Sequence, residues 1–230
     1  MKLTEITTPT IDKKVIEDNI RKYGLNATKG SVSINNDGTV DVFTGVWIQM
    51  GSFSKPTEPP KRENLRPGEF VKFGDAKPGK QVPFENFDVQ FGTATKGFSI
   101  HDCQNLMSLK GCPTRVEGIF RLTQCPGINS LEYAPAWIGG NCVIGGNGPK
   151  IKDFGSIKYV GGKLTFIDTS IVNLIKVLDI GGVKEVDCGN KKINEILNKY
   201  LKQPVIHKRD MLGFQDEMIE AGFSGYVEVE

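Results

Sequence analysis

Apolar and polar residues alternate along this chain with two different periods. From residue 11 to 23, Ile11, Val15, Ile16, Ile20 and Tyr23 fall near helical spacing. Thr10 is placed to cap that helix and Gly24 to stop it. The period then drops to two. Segments 31–35 and 39–43 flank Asn36-Asp37-Gly38, the signature of a hairpin turn, and Val46, Ile48 and Met50 continue as a further strand. From about residue 98, short alternating pairs recur: Phe120-x-Leu122, Cys142-x-Ile144, Leu164-x-Phe166 and, in degenerate form, Lys184-x-Val186. Each predicts a half-buried strand of about three to five residues. Helical spacing returns in Ile193, Ile196, Leu197, Tyr200 and Leu201. A second short helix starts near Asp210, with Met211, Leu212, Met218 and Ile219 inward and Gly222 as its stop, and the tail 223–230 alternates like an edge strand.

The alternating pairs sit in a longer repeat: Val116-Glu117-Gly118, Ile138-Gly139-Gly140, Val160-Gly161-Gly162 and Ile180-Gly181-Gly182. Their last glycines are separated by two equal steps and a slightly shorter third. A period of about 20–22 residues is the mark of a solenoid. Gly118, Gly140, Gly162 and Gly182 are therefore structural glycines, allowing positive φ or a close approach of neighbouring coils. Beyond the strand pairs come Cys125, Asn147 and Thr169 at matching places, and Cys103 lies one such period before Cys125. These four read as a ladder of small polar groups bonding backbone inside each turn. Further apolar rungs follow at Leu106, Ile128, Ile151, Ile171 and Ile193, then at Leu109, Leu131, Phe154 and Leu174, while Pro113 and Pro135 mark equivalent turns. No coil can bury its apolar face alone, so the stack forms one continuous core.

Composition narrows the class. Apolar residues make up 38% of the chain, which implies a thin core, and 27 glycines with 12 prolines imply many tight turns. The net charge of +2 is too small to imply a polyanionic partner by itself. No run of 18 apolar residues exists, so no membrane span is expected, and the stretch 1–5 lacks the apolar core of a signal peptide. Five cysteines without a Cys-x-x-Cys pair, together with only His101 and His207, predict reduced thiols and neither a metal site nor a cofactor.

The phrase running from Ser108-Leu109 through Gly111, Pro113 and Val116 to Gly118 and Phe120 resembles the repeat unit of leucine-rich-repeat-like proteins encoded by tailed bacteriophages. The stretch 34–42 is similar to the strand–turn–strand that precedes the array in such proteins, as is Val82-Pro83-Phe84 just before the first coil. The resemblance covers most of residues 1–50 and 82–222 and carries no catalytic residues. In leucine-rich repeats the ladder position takes Asn, Cys or Thr, as here. The fold expected is mainly β with flanking helices, an α+β chain. Its body is a leucine-rich-repeat-like solenoid of four to five coils, each of about 20–23 residues. Its parts are a helix-plus-hairpin cap (1–50), a Pro-rich basic insertion (51–86), the coils (87–193) and a helical cap with tail (194–230). The segment 51–81 and the loss of the Ser-Leu wording in several repeats depart from the family pattern.

Candidate chemistry is sparse. The Gly-rich run 139–150 lacks the Gly-Lys-Ser/Thr ending of a phosphate loop and falls in register with the coils. His101 and Cys103 are expected on one face of a strand, without the geometry of a nucleophile and its base. No catalytic residue is assigned. The stretch 52–80 carries Lys55, Lys61, Arg62 and Arg66 among five prolines, and reads as a solvated loop or as an arm that docks on a partner. Lys191, Lys192, Lys199, Lys202, Lys208 and Arg209 stand against Glu195, giving +5 over 191–209. That patch reads as a solvated helix face or as a contact for phosphate or an acidic protein. The reading is a non-enzymatic phage interaction protein, a component of the virion or an accessory to it. Its partners would be other phage structural proteins, or a host defence factor bound in the host cytoplasm; nucleic acid is the third option.

Overall fold

The computed structural model describes residues 12–22, 30–49, 71–73, 85–145, 151, 154–167, 173–203 and 210–227. Helix α1 (Lys13–Lys22) is followed by β1 (Val32–Ile34), β2 (Val40–Val42), β3 (Val46–Gln49) and β4 (Val71–Phe73). Strands then come in pairs: β5 (Phe91–Ala94) with β6 (Phe98–His101), β7 (Arg115–Val116) with β8 (Phe120–Thr123), and β9 (Trp137–Ile138) with β10 (Cys142–Gly145). The last pair is β11 (Tyr159–Val160) with β12 (Lys163–Ile167). Strand β13 (Glu185–Asp187) and helices α2 (Lys191–Leu201) and α3 (Met211–Glu220) follow.

The first strand of each pair enters one sheet, ordered β1-β2-β5-β7-β9-β11, here sheet A. The second enters sheet B, ordered β13-β12-β10-β8-β6-β3-β4. Among the described residues, every strand pairing except the β1–β2 hairpin is parallel. The chain therefore winds as a β-solenoid of about four turns with flanking helices. Register sets the period. Phe98, Phe120, Cys142, Leu164 and Val186 are successive Cα partners in sheet B, equally spaced along the chain.

This corrects the glycine count. Val186 pairs with Leu164, and the Lys184 amide donates to the Gly162 carbonyl at 3.0 Å. Lys184, not Gly182, is therefore the structural successor of Gly162. Gly182 instead sits in a turn at φ +74°, and the shortened last step in the sequence reflects a different use of the same residue type. At Gly118 and Gly140 φ is ordinary, and the need is space. A Cβ on Gly118 would lie 2.5 Å from the Lys96 carbonyl oxygen, and one on Gly140 2.7 Å from that of Gly118.

The core follows from the alternation. Ala94, Val116, Ile138 and Val160 point inward from sheet A, and Phe98, Phe120, Cys142 and Leu164 from sheet B, all without exposure. Ile100, Leu122, Ile144 and Phe166 form the next row. The rungs Leu106, Ile128 and Ile151, then Leu109, Leu131, Phe154 and Leu174, are buried along the return from sheet B to sheet A. Phe91 and Phe98 meet edge to face at 5.5 Å, joining the two sheets within one coil. Ile171 lies outside the described residues, and Ile193 is buried on α2 and is not part of a coil.

The stack begins earlier than the sequence reading places it. Parallel pairing of β2 with β5 and of β3 with β6 makes 40–49 a turn of both sheets, not a separate cap. Beyond it lie α1, the hairpin strand β1 and β4, which pairs with the outer edge of β3. Asp12 caps α1 through the amides of Lys14 and Val15, and Val15 faces solvent while Ile20 is buried. Thr10, Ile11, Tyr23 and Gly24 lie outside the described residues.

At the other end α2 is laid against the edge of β13. Asn198 Oδ1 accepts from the Val186 amide at 2.7 Å and its Nδ2 donates to the Val186 carbonyl at 2.8 Å. Asn194 Oδ1 accepts from the Cys188 amide at 2.8 Å. Two side-chain amides thus stand where another strand would bond, which closes the open edge of a parallel sheet. Helix α3 packs on α2 through Tyr200 and Phe214, rings 5.5 Å apart. Its buried residues are Phe214 and Met218, whereas Leu212 and Ile219 are exposed, contrary to the expected face. Of the tail, Ser224–Tyr226 form a short 3-10 turn and Val227 makes a single bridge to Asn173, while residues 228–230 lie outside the described residues. Among the described residues no helix is long and apolar enough to cross a membrane.

Two carboxylates at this end predict the acid response. Lys163 holds Asp187 below the ordinary carboxylate range, helped by the Gly189 amide and Asn194, and Lys199 does the same for Glu217 with help from the Tyr200 hydroxyl. A lowered folded pKa means that the native state releases its proton more readily than the unfolded chain. Their contribution is therefore present above the unfolded value of about 4 and disappears as pH falls through the folded values. The urea midpoint is expected to drop on acidification below about pH 4. In Asp187→Asn, Glu217→Gln the drop is shallower; an identical acid limb in this variant contradicts the assignment.

Candidate functional site

Outward positions recur once per coil at a fixed height, so a solenoid turns a sequence period into a row of side chains. On sheet A that row is Thr93, Arg115, Trp137 and Tyr159, successive partners in the parallel register. The Trp137 and Tyr159 rings stack with centroids 5.4 Å apart and planes within 3°. Above the opposite face of Trp137 the Arg115 guanidinium carbon lies 3.5 Å from the ring centroid, a close cation–π contact. Glu117 holds the guanidinium from the side at 3.7 Å. At the far end of the row Gly182 abuts Tyr159, since a Cβ there would come within 2.5 Å of the ring carbon Cζ.

The three side chains remain partly exposed, with Arg115 showing 44% of its side chain. Each is pinned by the next, so little rotamer freedom is left to lose on contact with another molecule. Trp, Tyr and Arg are also the residues that dominate binding energy at protein interfaces. The sequence reading does not single out this ladder. Its signal is present as Arg115-Val116, Trp137-Ile138 and Tyr159-Val160, the residue just before each β-branched member of the glycine phrase.

The residues that the sequence does single out are placed elsewhere. Cys103 and Cys125 are buried, with thiols 3.5 Å from the His101 carbonyl and 3.3 Å from that of Thr123. Asp102 and Gln124, at φ +52° and +55°, precede them and turn the chain out of strand geometry. Cys103 therefore enters the core while His101 stays on the outer face, so the two do not share a face. The Cys103 thiol beside it holds Cys125 below the ordinary thiol range, whereas burial pushes Cys112 and Cys142 up. Asn147 and Thr169 lie outside the described residues. No cluster of three or more metal-ligating side chains occurs among the described residues.

Lys191, Lys199 and Lys202 line an open groove of about 600 Å³ along α2, and Lys192 is exposed beside it. The groove also carries Asp187 and Glu195. Lys199 is bound to Glu217 at 2.6 Å, and Glu217 accepts from the Tyr200 hydroxyl at 3.0 Å. Burial, then Glu217, pushes that hydroxyl up to about 12. The positive surplus read from 191–209 is thus interleaved with acids. Lys55, Lys61, Arg62, Arg66, Lys208 and Arg209 lie outside the described residues. Gly139 and Gly140 belong to a coil bend, as the register of the Gly-rich run requires.

No known family model, no curated protein and no solved structure matches this chain.

Proposed function

We propose that this chain is a non-enzymatic protein-binding scaffold that docks its partner on the outer face of sheet A. The observation that carries the reading is the Arg115–Trp137–Tyr159 ladder: hot-spot residue types, partly exposed and already ordered, at intervals set by the coil register. The words around Ser108–Phe120 that resemble phage leucine-rich-repeat-like proteins point to a phage particle as its setting, with another structural protein as partner. Acids interleaved with the α2 lysines favour a protein partner over nucleic acid.

The experiment is cross-linking mass spectrometry on purified virions, followed by a binding assay with the partner so identified. Trp137→Ala is expected to weaken binding at least thirtyfold, the loss of about 2 kcal/mol that defines a hot spot. Absence of the chain from virions, with a host protein recovered from infected cells in a Trp137-dependent way, would move the setting to host inhibition. Steeply salt-dependent nucleic-acid binding, lost in Lys199→Glu, Lys202→Glu and unchanged in Trp137→Ala, would reject the scaffold reading.

A further inference from the structure

The outer face of sheet B holds an unbalanced group of polar side chains. Phe98 and Ile100 point into the core, so strand alternation sends Ser99 and His101 to the other side of β6. On the neighbouring β8, Arg121 and Thr123 are their respective register partners. Ser99 has no solvent exposure, and its hydroxyl has no hydrogen-bond partner among the described residues. Arg121 Nε is likewise out of water and without a described acceptor. No described carboxylate lies within ion-pair distance of the Arg121 guanidinium. Beside them His101 Nδ1 and Thr123 Oγ1 are 2.8 Å apart.

Buried hydroxyls and guanidinium N–H groups are costly to leave unpaired, and native structures nearly always satisfy them. Both unused groups here are donors or can act as donors, and the fixed charge at their centre is positive. A cation is repelled by Arg121, and an apolar ligand leaves both donors unpaired. A group with two or more acceptor oxygens and a negative charge satisfies both at once, because the guanidinium fork matches it and the hydroxyl lies one strand away. We propose that Ser99 and Arg121, flanked by the His101–Thr123 pair, form a binding site for a small oxyanion, a phosphate or a carboxylate. Arg121 supplies the charge and the paired donors, and Ser99 the directional hydroxyl. This site lies on the opposite sheet from the ladder and does not depend on it.

His101 provides the readout. Burial holds its imidazole below the ordinary value, Arg121 adds to the lowering, and Asp102 opposes it. An anion held on Arg121 offsets the guanidinium and raises the His101 pKa. The test is an NMR titration of the His101 ring in the full chain, assigned with a His207→Ala variant. Inorganic phosphate and acetate are added separately at constant ionic strength until the response levels off. A saturable upward shift of the His101 pKa is expected, and the anion that saturates first identifies the ligand class. Arg121→Gln should remove the shift and weaken binding at least about tenfold, and Ser99→Ala should weaken it by a smaller factor. Should Arg121→Gln fail to fold, Arg121→Lys retains the charge, loses the fork, and is expected to weaken binding as well. No saturable response to either anion, or an equal response in the Arg121 variants, overturns the proposal.

Discussion

Replacing Gly140 by alanine should cost the fold about 3 kcal/mol, a fall in melting temperature of roughly 6–12 °C for a chain of this size. The backbone dihedral is not the reason, since φ at Gly140 is accessible to any residue. The reason is the packing of one coil bend on the next. The added methyl would sit 2.7 Å from the Gly118 carbonyl oxygen and 2.8 Å from its carbon. That carbonyl is also the acceptor for the Gly140 amide at 3.0 Å, and the Gly118 amide in turn donates to Lys96 at 2.9 Å. The two bends therefore cannot separate to admit the methyl without breaking the hydrogen bonds that join them. Gly225→Ala, where a Cβ meets nothing within 4 Å, is the control and should stay within about 0.5 kcal/mol of the parent. Equal urea midpoints for Gly140→Ala and the parent protein would refute the argument.

Asn198→Leu is expected to be comparably damaging, at about 3 kcal/mol, and to change the behaviour of the protein in solution as well. Leucine matches asparagine in heavy-atom count and branching and suits a helix better, so neither shape nor propensity predicts harm. The harm comes from the amide, which serves both the N–H and the C=O of Val186 and bonds the Asn194 carbonyl at 2.8 Å. Without it the last strand of sheet B keeps its backbone groups but loses their partner. An unpaired parallel edge is a template for another chain. The variant should sediment as larger species than the parent at the same concentration, and Asn198→Asp, which keeps the acceptor alone, should fall between them. Parent-like size and stability in Asn198→Leu would mean that α2 does not guard the edge.

The coil architecture is legible in the sequence because its cause is local. Two inward residues per strand, a bend with no room for a side chain and a repeated turn all leave marks at fixed spacing. The glycine phrase misleads at Gly182 because glycine serves two needs, close approach at Gly140 and positive φ at Gly182, and the letter does not distinguish them. Val186 and its partner Leu164 carry the true register, and only the pairing reveals it. The inward face of α3 is misread because Met211, Leu212, Phe214, Met218 and Ile219 form one broad apolar arc, of which only the side carrying Phe214 and Met218 is buried. Contact with Tyr200 selects Phe214. Asn194 and Asn198 read as ordinary polar helix positions, since nothing in the sequence says that a strand edge lies beneath them. Alternation puts Arg121 on an outer face but does not say whether an acceptor waits there.

Register fixes heights in the stack independently of how much chain lies between them. Val46 and Phe98 are adjacent in sheet B although more than two coils' worth of chain separates them. On the way the chain lays β4 on the far side of β3, then rejoins the stack on the same rung that an uninterrupted coil would have reached. Register and chain length are thereby uncoupled: the stretch between Val46 and Phe98 can change length in evolution without moving the rung on which the later coils begin.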